Sequence, residues 1–287
     1  MIKKPKHQIY FTDCREGLKK LSDDSIDLVV SGPPYFDHIT YSEDRGNLST
    51  QNYSEFLKEI SEVWENIEPK LKDGGIIAIW LHDIYIKKID FFELLPFHTD
   101  IIKTFPKNIS LRHILVWDRY LKKSYPVLPP EAQFGTRFQY ILILSKGKTA
   151  FEKKLKDLYW KPIWYFKTMP RFLGSKILYH IIFFFGKIFF LCKFFGPLFS
   201  LIKKLFLRDK YQFKNYQTTC PPEVAQMLIK NFSKCGDVVC DPFLGSGTTT
   251  KVADKLKRTC IGFEINKQVK EIVLKKVGLG KVDVTEK

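Results

Sequence analysis

Short runs rich in Val, Ile and aromatic residues alternate along most of the chain with stretches in which apolar residues recur every three or four positions. The clearest helical stretch is Tyr53–Leu71, and Gly74-Gly75 is expected to stop it. Further helices are expected over Pro222–Phe232, Thr248–Leu256 and Lys267–Val277. Seven runs have the length of a strand: Gln8–Phe11, Asp27–Val30, Gly75–Trp80, His113–Trp117, Gln139–Leu144, Asp237–Cys240 and Cys260–Phe263. This interleaving predicts an α/β fold with a doubly wound, mostly parallel sheet.

The segment 151–214 breaks this alternation. It holds 14 Lys or Arg against Glu152, Asp157 and Asp209, so it carries +11 of the chain's net charge of +16 and leaves +5 to the other 223 residues. It also holds 19 of the 43 aromatic residues. Within it, lysines interrupt the apolar stretch 177–207, so a membrane-spanning helix is not expected there. We interpret 151–214 as an insertion that divides one domain into two halves, residues 1–150 and residues 215–287.

Composition narrows the classes of function. A net charge of +16 favours a polyanionic partner, which can be DNA, RNA or an anionic membrane surface. Aromatic residues make up 15% of the chain, which argues against a disordered protein. The six cysteines form no C-x-x-C pair, so we expect buried free thiols, a reducing compartment and no metal site. The charged start, Met1–Tyr10, has no signal-peptide pattern, which favours a cytoplasmic location.

A Gly-rich turn follows the strand that ends near Cys240. Glycines allow a sharp turn and a close approach to a ligand, and the start of the next helix favours an electron-rich group. Glu264 lies 23 residues after Asp241, where an acidic side chain can bind ribose hydroxyls. Thr250 replaces the third glycine of a dinucleotide fingerprint, so nucleoside binding is favoured over pyrophosphate binding. A tight structural loop is the alternative. The turn reads Asp241-Pro242-Phe243-Leu244-Gly245-Ser246-Gly247-Thr248.

A second turn, Ser31-Gly32-Pro33-Pro34-Tyr35, follows the strand Asp27–Val30. Two prolines remove two N–H donors and stiffen the turn, which leaves carbonyl groups free to accept hydrogen bonds. Tyr35 offers a planar face on which a base can stack. The turn therefore suits a planar amine held between carbonyl acceptors and an aromatic ring, although in isolation it is also consistent with a rigid loop.

Together these two turns resemble the amino-group DNA methyltransferases that use S-adenosylmethionine. Asp241 to Thr248 resembles the cofactor motif of that family, and Ser31 to Tyr35 resembles its catalytic Ser/Asp-Pro-Pro-Tyr motif. The resemblance covers residues 8–147 and 215–276. Because the catalytic motif comes first, the order is the permuted one of the β class, in which the target-recognition region falls where 151–214 lies. The resemblance implies a Rossmann-like seven-stranded methyltransferase sheet with an inserted basic aromatic recognition region.

The resemblance also implies roles for single residues. The catalytic positions are Ser31, Gly32, Pro33, Pro34 and Tyr35. The cofactor-binding positions are Asp13, Asp241, Pro242, Phe243, Gly245, Ser246, Gly247, Thr248 and Glu264. Among these, Glu264 is expected at the ribose hydroxyls, Asp241 near the cofactor's amino group, and Asp13 beside the adenine. A helix N-cap is the alternative role of Asp13.

Gly32 departs from the family pattern, which has Asp or Ser before the two prolines. The side chain there accepts a hydrogen bond from the target amino group in the family, so this chain would depend on the Pro33 carbonyl, Ser31, Asp37 or a water. A missing acceptor in a buried site costs about 1–3 kcal/mol. A backbone with positive φ, which glycine adopts readily, is a second reason for glycine at this position.

The sequence therefore predicts site-specific methylation of double-stranded DNA on an exocyclic amine of a flipped base, with N4 of cytosine slightly favoured over N6 of adenine. The sequence leaves a homodimer and a cognate restriction endonuclease open as further partners and decides neither. Two alternatives stay open. One is a catalytically silent DNA-binding protein with the same fold, and the other is a methyltransferase that acts on RNA or protein.

Overall fold

The computed structural model describes residues 7–36, 52–87, 90, 92–118, 138–153, 163–165, 221–278 and 282–285. All of these residues belong to one compact unit of the chain. The strands are β1 His7–Tyr10, β2 Ile26–Ser31, β3 Leu71–Leu81, β4 Ile84–Lys87, β5 Phe92–Leu95, β6 Ile109–Asp118, β7 Phe138–Lys146, β8 Ile163–Tyr165, β9 Val238–Asp241, β10 Thr259–Phe263 and β11 Val282–Thr285. The α-helices are α1 Cys14–Leu18, α2 Tyr53–Ile67, α3 Phe97–Lys103, α4 Pro222–Phe232, α5 Thr248–Lys255 and α6 Lys270–Val277.

Nine of these strands form one sheet, in the order β11-β1-β10-β9-β2-β3-β7-β6-β8. Strand β7 runs antiparallel to both of its neighbours, and every other pair in the sheet is parallel. All seven predicted strands are present, and one more strand lies at each edge. The predicted doubly wound, mostly parallel sheet is therefore confirmed. Strands β4 and β5 form a separate hairpin.

Helices cover both faces of the sheet, and the alternation of side chains along β2 shows how. Val29 faces the apolar cluster that contains the buried face of α2. Leu28 and Val30 face the opposite cluster, which contains the buried face of α4. Because both faces of a central parallel strand are covered, the strand reads as a continuous apolar run rather than an alternating one.

The end of helix α2 corrects the sequence-based expectation. Gly74-Gly75 does not stop the helix, because α2 ends at Ile67 and a 3₁₀ turn, Glu68–Lys70, follows. Pro69 lies in that turn, and a proline cannot donate the N–H that would continue the α-helical ladder. Strand β3 then starts at Leu71, so both glycines lie inside the strand.

Most of the predicted recognition region, 151–214, lies outside the described residues, as does Asp37. Within that region the structure describes residues 151–153 and strand β8, which pairs in parallel with β6. Of the helices in the described portion of the chain, none is long and apolar enough to cross a membrane. Cys14, Cys240 and Cys260 are buried free thiols, whereas Cys235 is a free thiol on the surface.

Candidate active site

The two predicted motifs lie side by side at the carboxyl edge of the sheet. Strands β2 and β9 are parallel neighbours, with Leu28 opposite Val239 and Val29 opposite Cys240. Just beyond this pairing, the Ser31 hydroxyl donates a hydrogen bond of 2.5 Å to Asp241 Oδ1, and both side chains are buried. Ligands of open α/β sheets bind in the crevice at this edge. Two segments that are 210 residues apart in sequence thus form one candidate site.

Asp241 is the buried carboxylate at the centre of this contact, with 2% of its surface exposed. Burial raises its pKa to about 6, and hydrogen bonds from the hydroxyls of Ser31 and Thr249 and from the Phe243 N–H oppose the rise. The Phe243 N–H lies 3.1 Å from Oδ1. The carboxylate therefore changes its charge close to neutral pH, and it is held by both turns.

The Gly-rich turn has the backbone shape that its glycines allow. Gly245 has φ +55° and Gly247 has φ +78°, both in the left-handed region that side chains disfavour. A Cβ added to Gly245 would meet no atom within 4 Å, so the turn is open on that side. A Cβ added to Gly247 would lie 3.1 Å from Val273 on α6. Gly247 caps α5, which starts at Thr248 as predicted.

Glu264, directly after β10, bends back over this turn. Its Oε2 accepts a hydrogen bond of 2.7 Å from the Gly245 N–H, and its Oε1 accepts one of 2.8 Å from the Asn266 N–H. Burial raises the pKa of the Glu264 carboxyl to about 7, against the opposing effect of these two N–H groups. The acidic side chain that the sequence predicts for ribose binding therefore lies against the backbone of the Gly-rich turn.

Lys276 lies on α6 and contacts this turn, and the sequence did not predict its role. Its Nζ lies 2.8 Å from Ser246 Oγ and 2.6 Å from Thr248 Oγ1 and donates to both. Lys276 is in the last turn of α6, where a basic residue is ordinary, so nothing in the sequence marks it. The hydroxyls of the turn are thus oriented by a cation.

Tyr35, at the end of the Pro-Pro-Tyr turn, is packed against other aromatic rings. Its ring stacks on His82, with centroids 4.3 Å apart and planes 16° apart, and it meets Phe97 at 6.0 Å. Only 6% of Tyr35 is exposed. Pro33 is buried and Pro34 is half-buried. His82 follows β3, and its role as the support of Tyr35 has no signal in the sequence.

A neighbouring side chain, and not the backbone conformation, explains the glycine at position 32. Its φ is not positive, so the second reason considered for glycine at this position is wrong. A Cβ at position 32 would lie 2.6 Å from Nε1 of Trp80 and 2.7 Å from its Cε2. The indole of Trp80 thus occupies the space that a side chain at position 32 would need.

An Asp–His pair lies beside the Pro-Pro-Tyr turn and was also missed by sequence analysis. Asp83 Oδ1 lies 2.6 Å from His98 Nδ1 and also accepts from the His98 backbone N–H at 3.2 Å. The His98 ring stacks on Tyr140 with centroids 4.0 Å apart. Burial raises the pKa of Tyr140, with a smaller effect of Asp83. These contacts fix the start of α3, whose first residue, Phe97, packs on Tyr35.

Asp13 lies at the same edge, three residues after β1. Its carboxylate caps α1 by accepting from the Arg15 N–H at 2.9 Å, and it forms an ion pair of 2.7 Å with the Arg15 guanidinium. The helix N-cap, the alternative role considered above, is therefore present. Strand β1, which ends three residues before Asp13, pairs in parallel with β10.

Known DNA methylases resemble this chain in sequence. The model of the DNA methylase family, which comprises N6 and N4 methyltransferases, matches residues 26–275. The type II methyltransferase M.MjaI of Methanocaldococcus jannaschii is 28% identical over 95% of this chain and 91% of its own length. The type II methyltransferase M.MthZI of Methanothermobacter thermautotrophicus is 26% identical over 94% of this chain and 76% of its own length.

Two solved structures share the fold. A putative DNA modification methylase from Thermus thermophilus, crystallised with S-adenosyl-L-methionine, has a TM-score of 0.62 and 22% identity, and the match covers 97% of this chain and 99% of the other. The PvuII DNA methyltransferase, a cytosine-N4-specific protein, also has a TM-score of 0.62, with 16% identity and 99% of both chains covered. At these identities the likeness concerns the fold alone.

Proposed function

The chain belongs to the DNA methylase family of N6 and N4 methyltransferases, whose model matches residues 26–275. On this premise we propose that it transfers a methyl group from S-adenosylmethionine to an exocyclic amine of a base in DNA. The observation that carries the proposal is the buried hydrogen bond from Ser31 to Asp241. That contact joins a turn suited to a planar amine with a turn suited to a nucleoside. A site of this kind needs both.

The residues of the Gly-rich turn fit the cofactor. The open space beside Gly245 leaves room for a ligand against the backbone. Two carboxylates with raised pKa accept hydrogen bonds from the backbone of this turn: Asp241 would lie near the cationic methionine end, and Glu264 would accept from the ribose hydroxyls. Asp13 would lie beside the adenine. The other cofactor-binding positions in this proposal are Pro242, Phe243, Gly245, Ser246, Gly247 and Thr248.

The Pro-Pro-Tyr turn would hold the target base. When bound, S-adenosylmethionine supplies an electrophilic methyl group: the target nitrogen forms the new N–C bond with its lone pair, the S–C bond breaks toward sulfur, and the nitrogen then releases a proton. The Pro33 carbonyl accepts a hydrogen bond from the target amine and so aligns that lone pair. Tyr35 stacks on the base, which has to leave the duplex to reach it.

For the target base we propose cytosine, modified at N4. Before the two prolines the family has Ser or Asp, whereas this chain has Gly32, which follows the neutral Ser31. In the family, the aspartate form goes with adenine. No side-chain carboxylate at position 32 is then available to accept from an adenine amino group.

The test is to incubate the protein with mixed-sequence duplex DNA and methyl-labelled S-adenosylmethionine and to digest the DNA to nucleosides. We expect the label in N4-methylcytosine, and only a small fraction of that label in a parallel reaction with Tyr35→Ala. Label in N6-methyladenine would overturn the choice of base. Duplex binding without any label in DNA would support a silent DNA-binding protein, and label only in RNA or protein would support the remaining alternative.

The proposal includes a role for residues 151–214 as the target-recognition region, between the catalytic half, residues 1–150, and the cofactor-binding half, residues 215–287. Its support is the net charge of +11, because lysine and arginine side chains bind the phosphates of DNA. Phosphate contacts in turn make DNA binding depend steeply on salt concentration. Neutralising Lys161, Lys167 and Arg171 together is expected to flatten the dependence of affinity on salt concentration. An unchanged slope together with binding to anionic vesicles would favour a membrane-surface role.

The setting that we propose is cytoplasmic, with a cognate restriction endonuclease acting on the same site and with the enzyme working as a homodimer. Sedimentation of the purified protein with and without duplex DNA tests the dimer. A single species with the mass of one chain, 33.7 kDa, would exclude it.

A further inference from the structure

Gly32 of the catalytic turn has no side chain, and Trp80 of the neighbouring strand β3 occupies the space where that side chain would lie. Strands β2 and β3 run in parallel, with Val30 opposite Ala78 and Ser31 opposite Ile79. Gly32 therefore comes next to Trp80. A Cβ at position 32 would lie 2.6, 2.7 and 2.9 Å from Nε1, Cε2 and Cζ2 of the indole. Since real Cβ atoms do not make contacts under 3.0 Å, a side chain at position 32 requires this indole to move.

The indole is not free to move aside. Trp80 has 8% of its surface exposed and belongs to the apolar cluster on the α4 face of the sheet. Interiors of this kind are close-packed, so a large ring moves only if its neighbours move with it. The atom nearest to the position of the missing side chain is Nε1, the single polar atom of the ring. An indole N–H donates a hydrogen bond and cannot accept one.

We propose that Trp80 is a specificity-determining residue of the base site, which replaces the family's acceptor at position 32 by an N–H donor. This inference rests on the proposed function. Cytosine and adenine both carry an unprotonated ring nitrogen next to the exocyclic amine, and that nitrogen accepts the indole N–H. Thymine and guanine carry a protonated ring nitrogen next to a carbonyl, so the donor meets another donor. The amine itself is left to the Pro33 carbonyl.

A double-mutant experiment tests the steric exclusion without any assay of activity. Gly32→Ser is expected to lower the Tm by about 3–10 °C, because the clash costs what overpacking of a core costs. In a Trp80→Leu background, which keeps an apolar side chain but removes the indole, the same Gly32→Ser change is expected to lower the Tm by less than half as much. Equal losses in the two backgrounds would overturn the proposed exclusion.

The chemical role is tested with Trp80→Phe, which keeps a ring and removes the N–H. Methylation of duplex DNA is expected to slow about 5- to 150-fold, the loss for an unpaired buried partner, while calorimetry gives the same affinity for S-adenosylmethionine. Trp117→Phe is the matched control, since Trp117 lies in the same apolar cluster on β6. We expect this control to keep the wild-type rate.

A substrate change separates the donor role from a merely structural one. A duplex with 3-deazacytosine at the methylated position lacks the ring nitrogen that would accept from Trp80. The wild type is expected to methylate it about 5- to 150-fold more slowly than the normal duplex, and Trp80→Phe is expected to treat both duplexes alike. If the digest instead identifies adenine as the target, 1-deazaadenine takes its place.

The outcomes distinguish this inference from the proposed function. A wild type that methylates cytosine or adenine, with a Trp80→Phe variant that keeps the full rate and the same discrimination against the deaza base, overturns the role of Trp80 alone. A wild type that methylates neither base overturns both.

Discussion

The two halves of the candidate site are held together by different forces. The Gly-rich half is built from hydrogen bonds and charge: Glu264 accepts from two backbone N–H groups, and Lys276 donates to two hydroxyls. The Pro-Pro-Tyr half is built from ring packing: Tyr35 stacks on His82, and Trp80 fills the space beside Gly32. Ser31 and Asp241 form the hydrogen bond that joins them.

This difference matches the two ligands that we propose. S-adenosylmethionine carries a positive charge, an amino acid end and ribose hydroxyls, so it is held by carboxylates and backbone groups. A flipped base is flat and uncharged, so it is held by ring faces and by a few directed hydrogen bonds. The polar half should therefore respond to pH and to backbone changes, and the aromatic half to the size and polarity of side chains.

The largest effect is expected from Gly247→Val, which should abolish binding of S-adenosylmethionine. Valine at φ +78° costs about 1–2 kcal/mol in backbone strain, and its side chain would press on Val273. Gly147→Val is the control, since Gly147 has φ +60° and no atom within 4 Å of an added Cβ. Calorimetry should show unchanged affinity in the control, and unchanged affinity for Gly247→Val would remove the assignment of this turn.

The second-largest effect is expected in the dependence of the free energy of unfolding on pH. In the folded protein the pKa of Asp241 is about 6 and that of Glu264 about 7, against ordinary values of 3.8 and 4.5. A carboxyl whose pKa is raised by folding stabilises the fold below its ordinary pKa, and this contribution is lost as pH rises through the folded value. Without cofactor, the free energy of unfolding should fall by about 1–3 kcal/mol per group between pH 4 and 7.

Affinity for the cofactor should change in the opposite direction. Because the ionised carboxylates attract the cationic cofactor and accept its hydroxyls, the affinity should rise as pH increases from 5 to about 7. Asp241→Asn and Glu264→Gln keep the shape of each side chain and remove its titration. Each variant should therefore show a smaller change with pH in both the free energy of unfolding and the cofactor affinity. Two variants that follow the wild-type pH profile would contradict the pKa assignments.

The smallest effect is expected at Lys276. Lys276→Met removes two hydrogen bonds to the Gly-rich turn and should weaken cofactor binding about 2- to 10-fold, in line with about 0.5–1.5 kcal/mol for one net hydrogen bond. Lys275→Met, next to it and exposed on the same helix, is the control. Equal affinities for the two variants would mean that Lys276 does not orient the turn for the ligand.

The sequence predicted the polar half of the site better than the aromatic half. Asp241, Gly245, Gly247 and Glu264 follow two strands at a fixed spacing, and parallel strands bring their carboxyl ends to one edge of the sheet. The structure places all four there. The strands themselves could also be predicted, because a buried parallel strand reads as an apolar run.

Residues that act through tertiary contacts could not be predicted. Trp80 belongs to an apolar run and looks like ordinary core, and only the register of β2 against β3 brings it to Gly32. His82 and the Asp83–His98 pair depend on how the chain turns after β3. The predicted end of α2 at Gly74-Gly75 is wrong, because Pro69 precedes these glycines and ends the helix earlier.

The most direct test of the division between the two halves is the cofactor affinity of Glu264→Ala and Tyr35→Ala, measured side by side by calorimetry, together with methyl transfer to duplex DNA. Glu264→Ala should lose cofactor affinity. Tyr35→Ala should keep that affinity and lose most of the methyl transfer, since stacking on a base contributes about 1–3 kcal/mol. Equal loss of cofactor affinity in both variants, or full methyl transfer by Tyr35→Ala, would contradict this account.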